Sequence, residues 1–224
     1  MTKVKQKSDG KGSLKDIQIL VNEHADLLNA LINGHVATLK NDPIKWLSPV
    51  KKDNYAEFSD DDFIEVLELK LKKELKDFWP KKGPQWDALG KSDKGVVFLV
   101  EAKANIPEIV SPGTAASPDS KKKIATALNE TKKYLGINND VDWSGKFYQY
   151  TNRLAHLYFL REQNNIPTYL VNIYFMNDKE VSGPQSKREW QAAIDVMKSY
   201  LGVGHHKLSK YIIELFIDVE DFRK

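Results

Sequence analysis

Apolar residues recur at helical spacing in the first third of the chain. Ile17, Leu20, Val21, Leu27, Leu28 and Leu31 predict a helix opened by Ser13 and running toward about Leu39, with Gly34 as the candidate break. A loop carrying Pro43 and Pro49 follows. Ser59 then stands at an N-cap position, with Asp60, Asp61 and Asp62 in the first turn, where the helix dipole favours acids. Phe63, Leu67, Leu71, Leu75 and Phe78 continue one face of that helix. From Pro84 the period changes to two. Trp86 to Leu89 and Val96 to Ala104 read as strands around the turn Ser92-Asp93-Lys94-Gly95. Ser117 as N-cap, Pro118 as first helical residue and Gly136 as stop delimit the next helix. An aromatic-rich helix from about Gly145 to Gln163, a strand over Thr168 to Met176, a helix over Ser186 to Leu201 and a strand over Tyr211 to Val219 complete the chain.

Strands separated by helices imply crossovers and a sheet covered on both faces, while the hairpin adds an antiparallel pair. The expected fold is therefore α/β: a single three-layer α/β/α domain around a central mixed sheet, with extra N-terminal helices. Its expected extent is residues 13–224, of which 13–55 form a helical extension and 56–224 the core. Residues 1–12, with four lysines, are expected to be a disordered basic tail.

Composition narrows the function classes. The longest uninterrupted apolar run, Val96 to Val100, is far shorter than the roughly 20 residues of a membrane helix. The lysine-rich start lacks the apolar segment of a signal peptide, so a soluble, cytoplasmic protein with no membrane partner is expected. With no cysteine, disulfides and thiolate metal sites are excluded. The net charge of +3 belongs to the tail: beyond residue 12, acids and bases are equal in number. A nucleic-acid function must therefore rest on a local site rather than on bulk charge.

That local site is in the hairpin. Val96, Phe98, Val100, Ala102 and Ala104 make one strand face apolar, and Val97 and Leu99 start the other, which is the pattern of a strand buried on both sides. The second face then continues with Glu101 and Lys103. Ionisable groups at the end of a dry strand are costly unless paired or bound to an ion. If Asp93-Lys94-Gly95 is a three-residue loop with Gly95 left-handed, Ser92 pairs with Val96, and Asp87 falls opposite Glu101. Opposed residues share a face with Cβ atoms roughly 4.5–5.5 Å apart. Two carboxylates so placed repel, and a divalent cation between them removes the conflict; hard oxygen ligands suit Mg²⁺, Mn²⁺ or Ca²⁺. Two acids and one lysine also leave one charge unpaired, which favours a metal over a plain salt bridge.

An aspartate followed fourteen residues later by Glu-x-Lys on a hydrophobic strand resembles the PD-(D/E)XK nuclease superfamily, with Asp87 and Glu101-Ala102-Lys103 as the motif. Trp86 replaces the namesake proline, and Pro84 lies three residues upstream. Phe78-Trp79-Pro80, Gly83-Pro84-Gln85-Trp86-Asp87-Ala88-Leu89, Tyr148-Gln149-Tyr150 and Asn152-Arg153-Leu154-Ala155-His156-Leu157 extend the resemblance to a prokaryotic branch of that superfamily, over most of residues 44–219. The resemblance implies a restriction-endonuclease-like fold and Mg²⁺-dependent hydrolysis of nucleic acid, DNA in the first place, with Mn²⁺ as substitute. It implies that Asp87 and Glu101 hold the metal, with the Val100 or Ala102 carbonyl as a further ligand, and that Lys103 orients the attacking water. An upstream acid supports the metal or its waters in such enzymes; Glu57 is the first candidate, ahead of Glu65 and Glu68. A homodimer is compatible with this fold, since two active sites serve two strands.

Gln149, Asn152 and Arg153 share a helix face and are candidate nucleic-acid contacts, as are Lys121 and Lys122 beside Lys123 in the first turn of the 118–135 helix. The alternative for each is a solvated or backbone-capping polar face. His24, His35, His156, His205 and His206 are scattered and read as structural, and Tyr148, Tyr150, Tyr158 and Phe159 as core. Two rival functions remain: a catalytically inactive nucleic-acid-binding or scaffolding module on the same fold, and a metal-independent hydrolase using Asp87 and Glu101 as an acid/base pair.

Overall fold

Strands β1 (Ile44–Ser48), β2 (Ala88–Ser92), β3 (Val97–Lys103), β4 (Thr168–Met176) and β5 (Ile212–Asp218) lie side by side in chain order in the computed structural model, which describes residues 3–36 and 42–223. The first three strands form an antiparallel meander, and β3, β4 and β5 run parallel. The sheet is mixed, as expected. The β2–β3 register is also the expected one. Ala88 faces Val100, Leu89 faces Leu99 and Gly90 faces Phe98. Ser92 N–H donates to Val96 O at 2.9 Å, and Gly95 turns the chain at φ +84°, a conformation that suits glycine.

Two hydrophobic layers sandwich the sheet. On one face, Val97, Leu99 and Leu170 meet helices α3 (Asp60–Val66), α4 (Leu75–Phe78), α5 (Pro118–Leu135), α6 (Tyr148–Tyr158) and α7 (Lys187–Leu201). A π-helical turn over Phe159–Gln163 continues α6. On the other face, Phe98, Val100, Ala102, Val171 and Ile173 meet α1 (Ser13–Glu23) and α2 (Ala25–His35). Val97 to Val100 have no exposed surface, so β3 is buried on both sides. Each such side chain stabilises the fold by roughly 1.5–3 kcal/mol. The helical extension expected over residues 13–55 is thus, in α1 and α2, a whole layer of the domain.

Several expectations are corrected. The first helix divides at His24, whose backbone leaves helical geometry, not at Gly34; its expected reach toward Leu39 falls outside the described residues. Between the two prolines lies a strand, β1, rather than a loop. Its Ile44 and Trp46 lie over Gly90, where a Cβ would stand 3.0 Å from both side chains. The long helix expected over residues 59–78 ends at Val66, and only α4 resumes it. Tertiary partners interrupt it: Lys91 Nζ takes the Leu67 carbonyl at 2.6 Å, and Asn164 Oδ1 accepts the N–H groups of Lys72 and Lys73. Finally, residues 3–12 are not a free tail. Val4 and Glu57 exchange backbone hydrogen bonds of 2.9 Å each, and Lys3 pairs with Asp53 at 2.5 Å.

Candidate active site

The functional groups gather where β2 and β3 part. The ladder ends at Ala88, and Asp87 replaces it with a mixed contact: its N–H donates to Val100 O at 3.2 Å, and its Oδ2 accepts the Ala102 N–H at 2.7 Å. Asp87 is thereby fastened beside Glu101. Two isolated bridges bring in the upstream acid. Phe58 pairs with Trp86 and Val4 with Glu57, which sets Glu57 one strand away from Asp87. Glu57 Oε2 accepts two amides, from Gln6 at 2.9 Å and Gln85 at 2.6 Å. Glu65 and Glu68 are exposed and do not line the cleft above these groups, so Glu57 is the upstream acid that joins the cluster.

Glu101 is 6% exposed and doubly paired, with Oε1 accepting from Lys103 Nζ and Oε2 from Arg153 Nε at 2.6 Å. Arg153 is held on every side. Nη1 donates to Asn152 Oδ1 at 2.8 Å, Nη2 to the Gln85 carbonyl at 2.7 Å, and the guanidinium stands 4.9 Å from the Trp86 ring centroid. The residue expected to contact phosphate is therefore committed to Glu101. This changes the charge count, because the lysine is not the only base beside the two acids.

The electrostatics follow from burial and like charge. Burial pushes the Asp87 carboxyl up to about 8, the charges of Glu101 and Glu57 add to the rise, and Lys103 opposes it. Burial likewise pushes Glu57 up to about 7, against the pull of the Gln6 and Gln85 amides. For Glu101, burial would raise the carboxyl, but Arg153 and Lys103 outweigh it and hold it below its ordinary value. Lys103, which burial would lower, is raised by Glu101 and Asp87.

A cleft of about 920 Å³ opens over this cluster. Asp87, Glu57 and Arg153 line it, together with Gln149, Asn152 and Tyr148, the small-residue loop 111–117 and the start of α5. Glu101 and Lys103 lie deeper, on a separate cavity of about 20 Å³, the size of one water. Arg153 borders both spaces. Lys121 and Lys122 are exposed and do not line the cleft, whereas Lys81 and Lys82, not singled out from the sequence, do. Tyr148, expected in the core, is half-buried on the cleft wall, while Tyr150, Tyr158 and Phe159 are core. His156 is a core residue among Phe63, Phe78, Trp79 and Trp86, with Nδ1 on Asn152 O at 2.8 Å.

Among the described residues, no three His, Asp or Glu side chains converge as a ready-made metal site. The donor set nevertheless suits a hard divalent cation. No donor among the described residues reaches Asp87 Oδ1 or Glu57 Oε1, and burial, with the neighbouring Glu101 charge, raises both carboxyls above their ordinary values, a cost that a cation relieves. The protein-side competitors for Glu101 are Lys103 and Arg153.

No family model matches the chain, and no curated protein or solved structure gives a significant match to it. Among the described residues, no helix is long and apolar enough to cross a membrane.

Proposed function

We propose that this protein is a Mg²⁺- or Mn²⁺-dependent nuclease that hydrolyses phosphodiester bonds in nucleic acid, DNA in the first place, in the manner of the PD-(D/E)XK superfamily. The observation that carries this reading is the convergence of Asp87, Glu101, Lys103 and Glu57, from three separate segments, with Asp87 and Glu57 on the wall of an open cleft and Glu101 and Lys103 on the small cavity that Arg153 separates from it. Asp87 and Glu101 would hold the cation, with Glu57 supporting from the side. When bound, the cation neutralises the carboxylates and polarises a phosphate oxygen. Lys103 shares the β3 face of Glu101 and supplies a donor that orients water and offsets negative charge developing in the transition state. Gln149, Asn152, Lys81 and Lys82 line the cleft as donors toward the nucleic-acid backbone.

The double pairing of Glu101 favours one alternative, a non-catalytic nucleic-acid-binding module in which Arg153 and Lys103 have taken the place of the metal. Calorimetric titration with Mg²⁺ and Mn²⁺ separates the two, run on wild type, Asp87→Asn and Glu101→Ala beside cleavage of plasmid, single-stranded DNA and RNA. Metal binding that disappears in a folded Asp87→Asn, with cleavage of any substrate, supports the nuclease. Nucleic-acid binding with neither metal binding nor cleavage supports the module and overturns the nuclease. Cleavage that persists in excess EDTA would point instead to metal-independent acid/base hydrolysis.

A further inference from the structure

The N-terminal segment is built into the site. Lys3 is paired with Asp53, and its ammonium lies 5.6 Å from the Phe58 ring centroid. Val4 and Glu57 exchange two backbone hydrogen bonds, and Gln6 N–H donates to Asn54 O at 3.2 Å. At the far end of the segment, Gln18 of α1 donates its side-chain amide to the Lys7 carbonyl at 3.2 Å. Residues 3–7 thus form a strap fixed at both ends, and the one side chain it turns into the cleft is Gln6.

Gln6 and Gln85 both donate to the same oxygen of Glu57, which is 5% exposed. Two features of that contact are informative. An amide orients a carboxylate without neutralising it, whereas the surrounding chain has lysines at positions 3, 5 and 7 that would have cancelled its charge. Both amides also converge on Oε2, which leaves Oε1 with no donor among the described residues and Glu57 on the cleft wall.

We infer that Gln6 is a positioning residue: the N-terminal strap closes over the site and, with Gln85, clamps Glu57 so that its second oxygen faces the cleft beside Asp87. This rests on the nuclease reading for its catalytic consequence, but the clamp itself is measurable without any substrate.

The test uses the full chain in wild type, Gln6→Ala, Glu57→Gln and the double variant. On the DNA substrate that wild type cleaves, Gln6→Ala lowers kcat about 10- to 100-fold, the usual loss for a group that orients a working side chain, with KM and Tm nearly unchanged. In the Glu57→Gln background the Gln6→Ala change has no further effect, because the residue acts through Glu57. Separately, the side-chain amide resonances of Gln6, followed by ¹⁵N NMR in metal-free protein, move upfield in Glu57→Gln as the charge-assisted bond is lost. Wild-type kcat in Gln6→Ala, additive losses in the double variant, or Gln6 resonances indifferent to Glu57→Gln each overturn the inference. A wild type that cleaves nothing, with the NMR shift present, overturns the nuclease reading and leaves the clamp standing.

Discussion

Arg153→Met removes the guanidinium that closes Glu101 from the cleft side while keeping most of the side chain's volume. Both partners are almost fully buried, with Nε 2.6 Å from Glu101 Oε2. Removing one member of a buried pair costs about 3–5 kcal/mol, because the other is left charged and uncompensated. Lys103 still serves Glu101 Oε1, so the lower end of that range applies to the ion pair. The Gln85 carbonyl loses its donor as well, which adds about 1 kcal/mol. The total is about 4 kcal/mol, a large share of the roughly 5–15 kcal/mol that holds a domain folded. At about 2–4 °C per kcal/mol for a chain of this size, Tm falls by about 8–16 °C. Urea unfolding at pH 7, followed by tryptophan fluorescence, gives the free energy directly. The companion variant Arg153→Met/Glu101→Gln recovers most of the loss, since it removes the stranded charge together with its partner. A single-variant loss below about 1 kcal/mol, or a double variant no better than the single, would refute the claim that this pair is buried and mutually dependent.

Lys103→Met is expected to bind Mg²⁺ more tightly in calorimetry, since the ammonium on Glu101 Oε1 is a competitor, while cleavage falls at least about 100-fold. Asp87, raised from 3.8 to about 8, binds a proton more readily folded than unfolded; its stabilising contribution is full below pH 3.8 and is lost as pH rises through about 8. The stability of wild type relative to Asp87→Asn should therefore fall across that window, by at most about 1.4 kcal/mol per pH unit in urea melts. His156 has the opposite sign: burial lowers it from 6.5 to about 3, so it opposes folding progressively as pH falls below 6.5. His156→Leu should gain on wild type in urea melts at pH 4 compared with pH 7, and a pH-independent difference would contradict a buried neutral imidazole.

What was legible in the sequence was local. Ser117 caps α5 through the Ser120 N–H, Gly136 ends it, and Ser186 caps α7 through the Glu189 N–H, because a cap is decided within four residues. The hairpin register was equally local, fixed by the three-residue turn with Gly95 in its left-handed position. Long-range contacts were not legible. β1 has the period-two pattern of an edge strand, yet it needs a side-chain-free Gly90 under Trp46, and that adjacency exists only after β2 is in place. The break after α3 depends on Lys91 and Asn164, remote in sequence and invisible to periodicity. Arg153 read as a nucleic-acid contact because its helix face is polar, and its partner Glu101 lies 52 residues earlier. Gln6 gave no signal at all inside a lysine-rich start, since only the Val4–Glu57 bridge turns it inward.

Counting Arg153 alters what a cation must do here. Asp87, Glu101, Lys103 and Arg153 form an electroneutral set, and Glu57 makes the fully ionised cluster net −1. A divalent ion would carry it to +1, the charge that balances one phosphodiester. At neutral pH, however, Asp87 and Glu57 titrate near about 8 and about 7, so part of that negative charge is masked by protons. On the proposed reading, metal binding must displace those protons, and its affinity must rise with pH and with a phosphodiester present. Calorimetry of Mg²⁺ binding at pH 7 in buffers of different ionisation enthalpy should then show release of roughly one proton per ion, suppressed in Asp87→Asn. A noncleavable oligonucleotide should tighten Mg²⁺ binding by about 5- to 150-fold, the ordinary range for two coupled ligands. Metal binding with no proton release and no dependence on the oligonucleotide would mean that the ion sits away from this cluster.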